Sequence, residues 1–149
     1  MSVVEATTEV GAPPEKVWRI VADPDNLPGW DRHIIRVEDV PSGGLRPGSS
    51  YTTEVRFMGV RAKATAHVLD LRESEYSKIR IHGVIDAVIE TWLEPLNGNR
   101  TRLRHRVEYH FPGGSLGELA ARAVGMLGAG TILRRGVEAQ RRQVEREAS

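Results

Sequence analysis

The run DAVIETWLEPLNGNRTRLRHRVEYHFPGGS, residues 86–115, decides how this chain folds. Two β-favouring segments, Asp86 to Leu96 and Arg100 to Phe111, flank Asn97-Gly98-Asn99. An Asn-Gly pair between alternating segments is a strong hairpin signal. In the second segment Leu103, His105, Val107, Tyr109 and Phe111 share one face, and Arg102, Arg104, Arg106, Glu108 and His110 share the other. The charged face reads as fully solvated, so the other looks inward. Pro112-Gly113-Gly114-Ser115 ends the sheet, and Ser115 reads as an N-cap with Glu118 as its capping-box partner. From there to about Glu147 the pattern is helical: Leu116, Leu119, Ala120, Ala123, Leu127, Leu133, Val137 and Val144 recur on one stripe. The charged tail, Glu138 to Glu147, is expected to face water on most sides.

Upstream of this run the strand signals continue. Ser2 to Val10, Ile34 to Val40, Ser49 to Phe57, Val60 to Leu71 and Tyr76 to His82 each suit a strand. In Ser49 to Phe57, Tyr51, Thr53, Val55 and Phe57 alternate with polar neighbours; in Val60 to Leu71, Ala62, Ala64 and Ala66 do the same. Between the first two strands Pro14-Glu15 opens a helix, its apolar stripe is Val17, Trp18, Ile20 and Val21, and Asp23-Pro24 stops it. The next stretch, through Trp30, allows at most a short second helix. Strands in sequence followed by one long helix predict an α+β domain. Its sheet is antiparallel, curved and of about seven strands, wrapped on a long C-terminal helix, with one or two short helices after the first strand. The whole of 1–149 reads as a single domain.

Composition narrows the function. The chain lacks cysteine, which excludes disulfides, thiolate metal sites and cysteine nucleophiles. Formal net charge is +1, from 21 basic and 20 acidic residues, which gives no general attraction to nucleic acid or anionic membrane. Arg134, Arg135, Arg141, Arg142 and Arg146 crowd the tail, but Glu138, Glu145 and Glu147 interleave with them as on a solvated helix face. No apolar run is long enough to span a bilayer, so stable membrane insertion is not expected. MSVVEATTEV does not read as a secretory signal, and a cytoplasmic location is the expectation. No phosphate-binding glycine loop or HExxH occurs, and no cofactor and no metal are expected. Asp31, Arg32 and His33 form a polar cluster that matches no metal-ligand spacing.

Three stretches carry a resemblance. They are Val10-Gly11-Ala12-Pro13-Pro14-Glu15-Lys16-Val17-Trp18 with Asp23-Pro24 and Trp30; Thr91-Trp92-Leu93-Glu94-Pro95 through Asn97-Gly98-Asn99 to Leu103; and Gly117 through Ala123. On these, and on element order over nearly the whole chain, the sequence resembles the START-like, or Bet v 1-like, superfamily. Within it the chain looks like the polyketide cyclase/dehydrase and lipid-transport group. The resemblance implies a helix-grip fold and a ligand cavity between sheet and long helix. It does not choose between carrying a ligand and transforming one.

The alanines at 62, 64 and 66 are the most informative local feature, because small side chains on a concave sheet leave volume. Tyr51, Val55, Phe57, Ile81, Trp92 and Leu103 from the sheet, with Ala64 and Ala66, are the expected lining. Leu119, Ala123 and Leu127 complete it from the helix. Glycines at 125, 128 and 130 each cost a helix about 1 kcal/mol relative to alanine, so they mark open space, a bend or close packing. With a two-residue turn at Asn97-Gly98, Glu90 stands opposite His105 and Asp86 opposite Tyr109. In a cyclase-like enzyme His105, oriented by Glu90, would take a proton beside a carbonyl, and Tyr109 would hold the enolate oxygen. The alternative is a satisfied core histidine, or polar groups that only orient a ligand. The preferred function is binding of an apolar small molecule such as a lipid or polyketide. A polyketide cyclase/dehydratase is the second reading. The long helix packs on its own sheet or partly on a second copy, which leaves a homodimer open.

Overall fold

The computed structural model describes residues 2–30, 34–57, 60–83, 85–114, 117–119, 121–122, 125 and 128–148. The strands are β1 (Ser2–Val10), β2 (Ile34–Glu38), β3 (Ser50–Phe57), β4 (Val60–Arg72), β5 (Tyr76–Gly83), β6 (Asp86–Leu96) and β7 (Arg100–His110). Two short helices, α1 (Pro14–Val21) and α2 (Leu27–Trp30), follow β1 with a 3-10 turn at Pro24–Asn26 between them. The described C-terminal helix is α3 (Ala129–Ala148). The strands form one seven-stranded sheet in the order β1-β7-β6-β5-β4-β3-β2, every pair antiparallel. The expected α+β helix-grip architecture is therefore present. Six strands pair in simple hairpin succession, and only β1 crosses the sheet to close on β7. Bulges between Ile34 and Arg36 in β2 and between Val68 and Asp70 in β4 add local bend to the twist.

Helix α3 lies against β1, with α1 and α2 packed on it. Between them sits the packed core: Ala6 and Val10 of β1, Val17 and Ile20 of α1, Leu93, Leu103, and Val137 and Val144 of α3. Trp18 and Leu133 pack on its margin. Pro14 starts α1 because it has no N–H to leave unpaired there.

Two expectations need correction. Helix from Ser115 to Glu147 is not continuous. Residues 117–119, 121–122 and 125 are helical, but Gly128 is not; its φ of +80 lies in the left-handed region, and its carbonyl accepts from Ile132 N–H at 3.1 Å. Gly128 thus stands where an N-cap stands, and α3 begins after it. The tail also faces water less than expected. Val137, Gln140, Gln143 and Val144 are buried. The charged face is tied to the edge strand: Thr8 Oγ1 donates to Glu138 Oε1 at 2.8 Å, and Gly11 N–H donates to Glu145 Oε2 at 2.8 Å. Arg141 bridges both carboxylates, at 2.7 and 3.3 Å. The Thr8 hydroxyl, then Arg141, hold the Glu138 carboxyl below the usual carboxylate range.

Candidate functional site

The ladder pairings place the inner face residue by residue. One rung runs straight across five strands: Tyr51 faces Ala66, Ala66 faces Ile81, Ile81 faces Ala87, and Ala87 faces Tyr109. The neighbouring rung sets Thr53 against Ala64 and Ala64 against Gly83. Val55 opposes Ala62 beyond it. Tyr51, Val55, Ala64, Ala66, Ile81, His105 and Tyr109 therefore share one side of the sheet, as the alternation predicts. Leu103 is on that side too, but it is fully buried within the packed core. Leu119 is half-buried on the helical piece before Gly128. Ala123, Leu127 and the side chain of Phe57 lie outside the described residues, as does the Asp31-Arg32-His33 cluster.

The inner face divides into two regions. Tyr51, Ala64, Ala66, Val68 and Ala87 are buried, yet among the described residues they stand outside the packed cluster around β1, α1 and α3. The large-small alternation of the long rung leaves methyl groups where a filled core would have larger side chains.

His105 sits at the boundary. It is 6 % exposed and bridges sheet to helix. Its Nε2 lies 2.7 Å from Gln140 Oε1, and its Nδ1 lies 2.8 Å from Thr91 Oγ1. The amide oxygen accepts from Nε2–H, which leaves Nδ1 as acceptor for the Thr91 hydroxyl. Burial holds the imidazole below its ordinary pKa, with Gln140 pulling the other way. The ring is neutral and both nitrogens are engaged.

Glu90 does not pair with His105. The hairpin loop has three residues, closed by Leu96 opposite Arg100, with Gly98 at φ +79 and Asn99 at φ +56. The extra residue moves the register by one, so Thr91 faces His105 and Ala87, rather than Asp86, faces Tyr109. Glu90 is carried to the outer face. There it faces Arg106, lies 3.5 Å from its guanidinium, and accepts from the Tyr76 hydroxyl at 2.6 Å. Burial, then this carboxylate, push the Tyr76 phenol up to about 12.

Trp92 is also on the outer face and does not line the inner one. Its ring tilts against Tyr76 at 5.5 Å, and Arg104 lies over it at 4.7 Å. Asp86 ends up at the rim of that face, between His82 at 2.6 Å and His110 at 3.2 Å. An open cleft of about 540 Å³ runs beside Trp92, Pro95 and Arg102, and another of about 610 Å³ lies between Trp18, Asp23 and Leu45. Both have charged rims, and Tyr51, Ala64, Ala66 and Ala87 line neither of them.

Two residues of the boundary network, Thr91 and Gln140, escaped the sequence reading. Thr91 follows from a three-residue turn. Gln140 sits between Val137 and Val144 on the apolar stripe of the helix, and a polar residue inside such a stripe is the signal that was present. Among the described residues no group of His, Asp and Glu could hold a metal ion, and no helix is long and apolar enough to cross a membrane.

A seven-stranded antiparallel sheet gripping a C-terminal helix, with a face of small residues beside the packed core, defines a Bet v 1-like, START-like domain. The chain belongs to the polyketide cyclase / dehydrase and lipid transport family, whose model matches residues 1–145. Among solved structures it is similar to the Zhui aromatase/cyclase from Streptomyces sp. R1128, at 17 % identity over 99 % of this chain and 96 % of that one, with a TM-score of 0.76. A conserved protein from Geobacillus kaustophilus gives 17 % identity over 98 % and 97 % with a TM-score of 0.78. The protein Ara h 8.0201 gives 19 % over 96 % and 97 % with a TM-score of 0.66. At these identities the likeness is one of fold. No curated protein matches.

Proposed function

We propose that this chain binds an apolar small molecule, a lipid, polyketide or related metabolite, between the inner face of β3 to β6 and the helical residues that precede α3. The observation that carries the reading is the buried set Tyr51, Ala64, Ala66 and Ala87, which the packed core does not include. Apolar concavities with few polar groups are where small ligands bind. The family description, which names both cyclases and lipid transport, supports a small-molecule ligand.

Carriage is favoured over catalysis by the state of His105. A general base needs a free lone pair, and here Nδ1 accepts from Thr91 while Nε2 is held by Gln140. The cyclase or dehydratase alternative requires His105 to leave one of these partners, with Tyr109 beside it. The cysteine-free sequence suits the cytoplasm.

Ala66→Phe tests the binding reading, because Ala66 sits mid-rung between Tyr51 and Ile81. The probe is diphenylhexatriene, read by fluorescence titration. The expected result is saturable binding by the wild type, lost in Ala66→Phe, with little change in thermal midpoint. A wild type that fails to bind, or a variant that loses the roughly 1–3 kcal/mol of an overpacked core, overturns it.

A further inference from the structure

Tyr51 carries a polar atom into the buried inner face. It is 6 % exposed, in the middle of β3, with Ala66 opposite. Its neighbours settle their polar atoms within the protein: Thr53 Oγ1 donates to the Ala64 carbonyl, Thr91 meets His105, and Thr101 Oγ1 donates to the Ala12 carbonyl. Among the described residues the Tyr51 hydroxyl has no hydrogen-bond partner, and burial by itself pushes its pKa up to about 12. The group is therefore a neutral O–H at any physiological pH. The fully buried side-chain atom left without a partner among the described residues is Gln143 Oε1; the Tyr51 hydroxyl is not such an atom, so it borders open space in which a ligand can reach it.

We infer that Tyr51 is a specificity residue: its hydroxyl donates to an acceptor oxygen, a ketone or ester carbonyl, on an otherwise apolar ligand lying against the alanines of β4. The inference rests on the binding reading above and adds the chemical class of the ligand. The neighbouring small residues, Ala64 and Ala66, let a flat ligand body lie against the sheet while the phenol reaches its carbonyl. Discrimination comes from the penalty on a ligand that leaves this hydroxyl unpaired, the mechanism by which a polar pocket rejects an analogue lacking the matching group.

A matched probe pair tests this. One probe is 6-propionyl-2-dimethylaminonaphthalene. The other is 6-propyl-2-dimethylaminonaphthalene, the same body without the carbonyl. Each is titrated by fluorescence into wild type and Tyr51→Phe. The expected result is a loss of about threefold to tenfold for the carbonyl probe in the variant, the range of one neutral hydrogen bond, with the propyl probe unchanged or tighter. The carbonyl probe's emission should shift to the blue in the variant as its hydrogen bond disappears. The thermal midpoint should hold or rise, since no internal bond is broken. Equal losses for both probes, or no loss for the carbonyl probe, overturn the assignment while leaving the cavity standing. Failure of the wild type to bind either probe overturns the cavity and this inference together.

Discussion

Histidine 105 is a group whose environment has chosen its protonation state. Held neutral in the folded chain and free to charge when unfolded, it binds fewer protons native than unfolded once the pH drops below about 6.5, its ordinary value. Stability supplied by this site is therefore intact above that pH and declines on acidification. Urea midpoints from pH 7.5 down to 5, compared between wild type and His105→Gln, should show the excess slope in the wild type alone. A difference between the two that stays flat with pH would mean the imidazole charges freely in the native state. That His105 faces inward is legible from alternation in β7. That its partners are Thr91 and Gln140 is not, because one depends on a turn of three residues instead of two and the other lies 35 positions away.

Element boundaries turn on glycines in α3 and just before it. Gly128 and Gly130 look alike in the sequence, yet they do opposite things. At Gly128 the backbone is left-handed, where a side chain costs about 1–2 kcal/mol. Gly130 lies inside α3, and among the described residues a methyl group there would meet the flexible tip of Arg134 at 3.4 Å. Gly128→Ala is expected to destabilise by about that amount, and Gly130→Ala to stabilise by up to about 1 kcal/mol. Thermal or urea midpoints of the two variants should move in opposite directions; movement in the same direction would mean the helix runs unbroken through residue 128. The apolar periodicity continues across the break, so it marks which residues face inward without revealing that the axis is interrupted.

At the scale of the molecule the sheet has a firm side and a loose side. The core gathers where β1, β6 and β7 meet α1 and α3. At the other edge β2 has five residues, a bulge, no fully buried side chain and one strand neighbour. The outer face is laced by Arg102–Glu94, Arg104–Glu5 and Arg100–Glu9 pairs, which are exposed and worth little individually. Cooperative protection should therefore follow the core. Amide hydrogen exchange is expected to be slowest in β6 and β7 and fastest among the strands in β2, and a uniform profile across all seven would contradict this division.

From the order of residues alone come the strands, the hairpin at Asn97-Gly98-Asn99, the inward side of β3, β4, β5 and β7 and the succession of sheet then helix. All of these depend on periodicity and turn chemistry within a few residues. The tertiary structure decided what depends on distance: the register that sends Glu90 and Trp92 outward, the capture of His105 by Gln140, the halt of the helix at Gly128, and the isolation of the Tyr51 hydroxyl. A single residue in a turn reverses a whole strand's facing, and whether a buried polar atom finds a partner is settled only when remote segments meet.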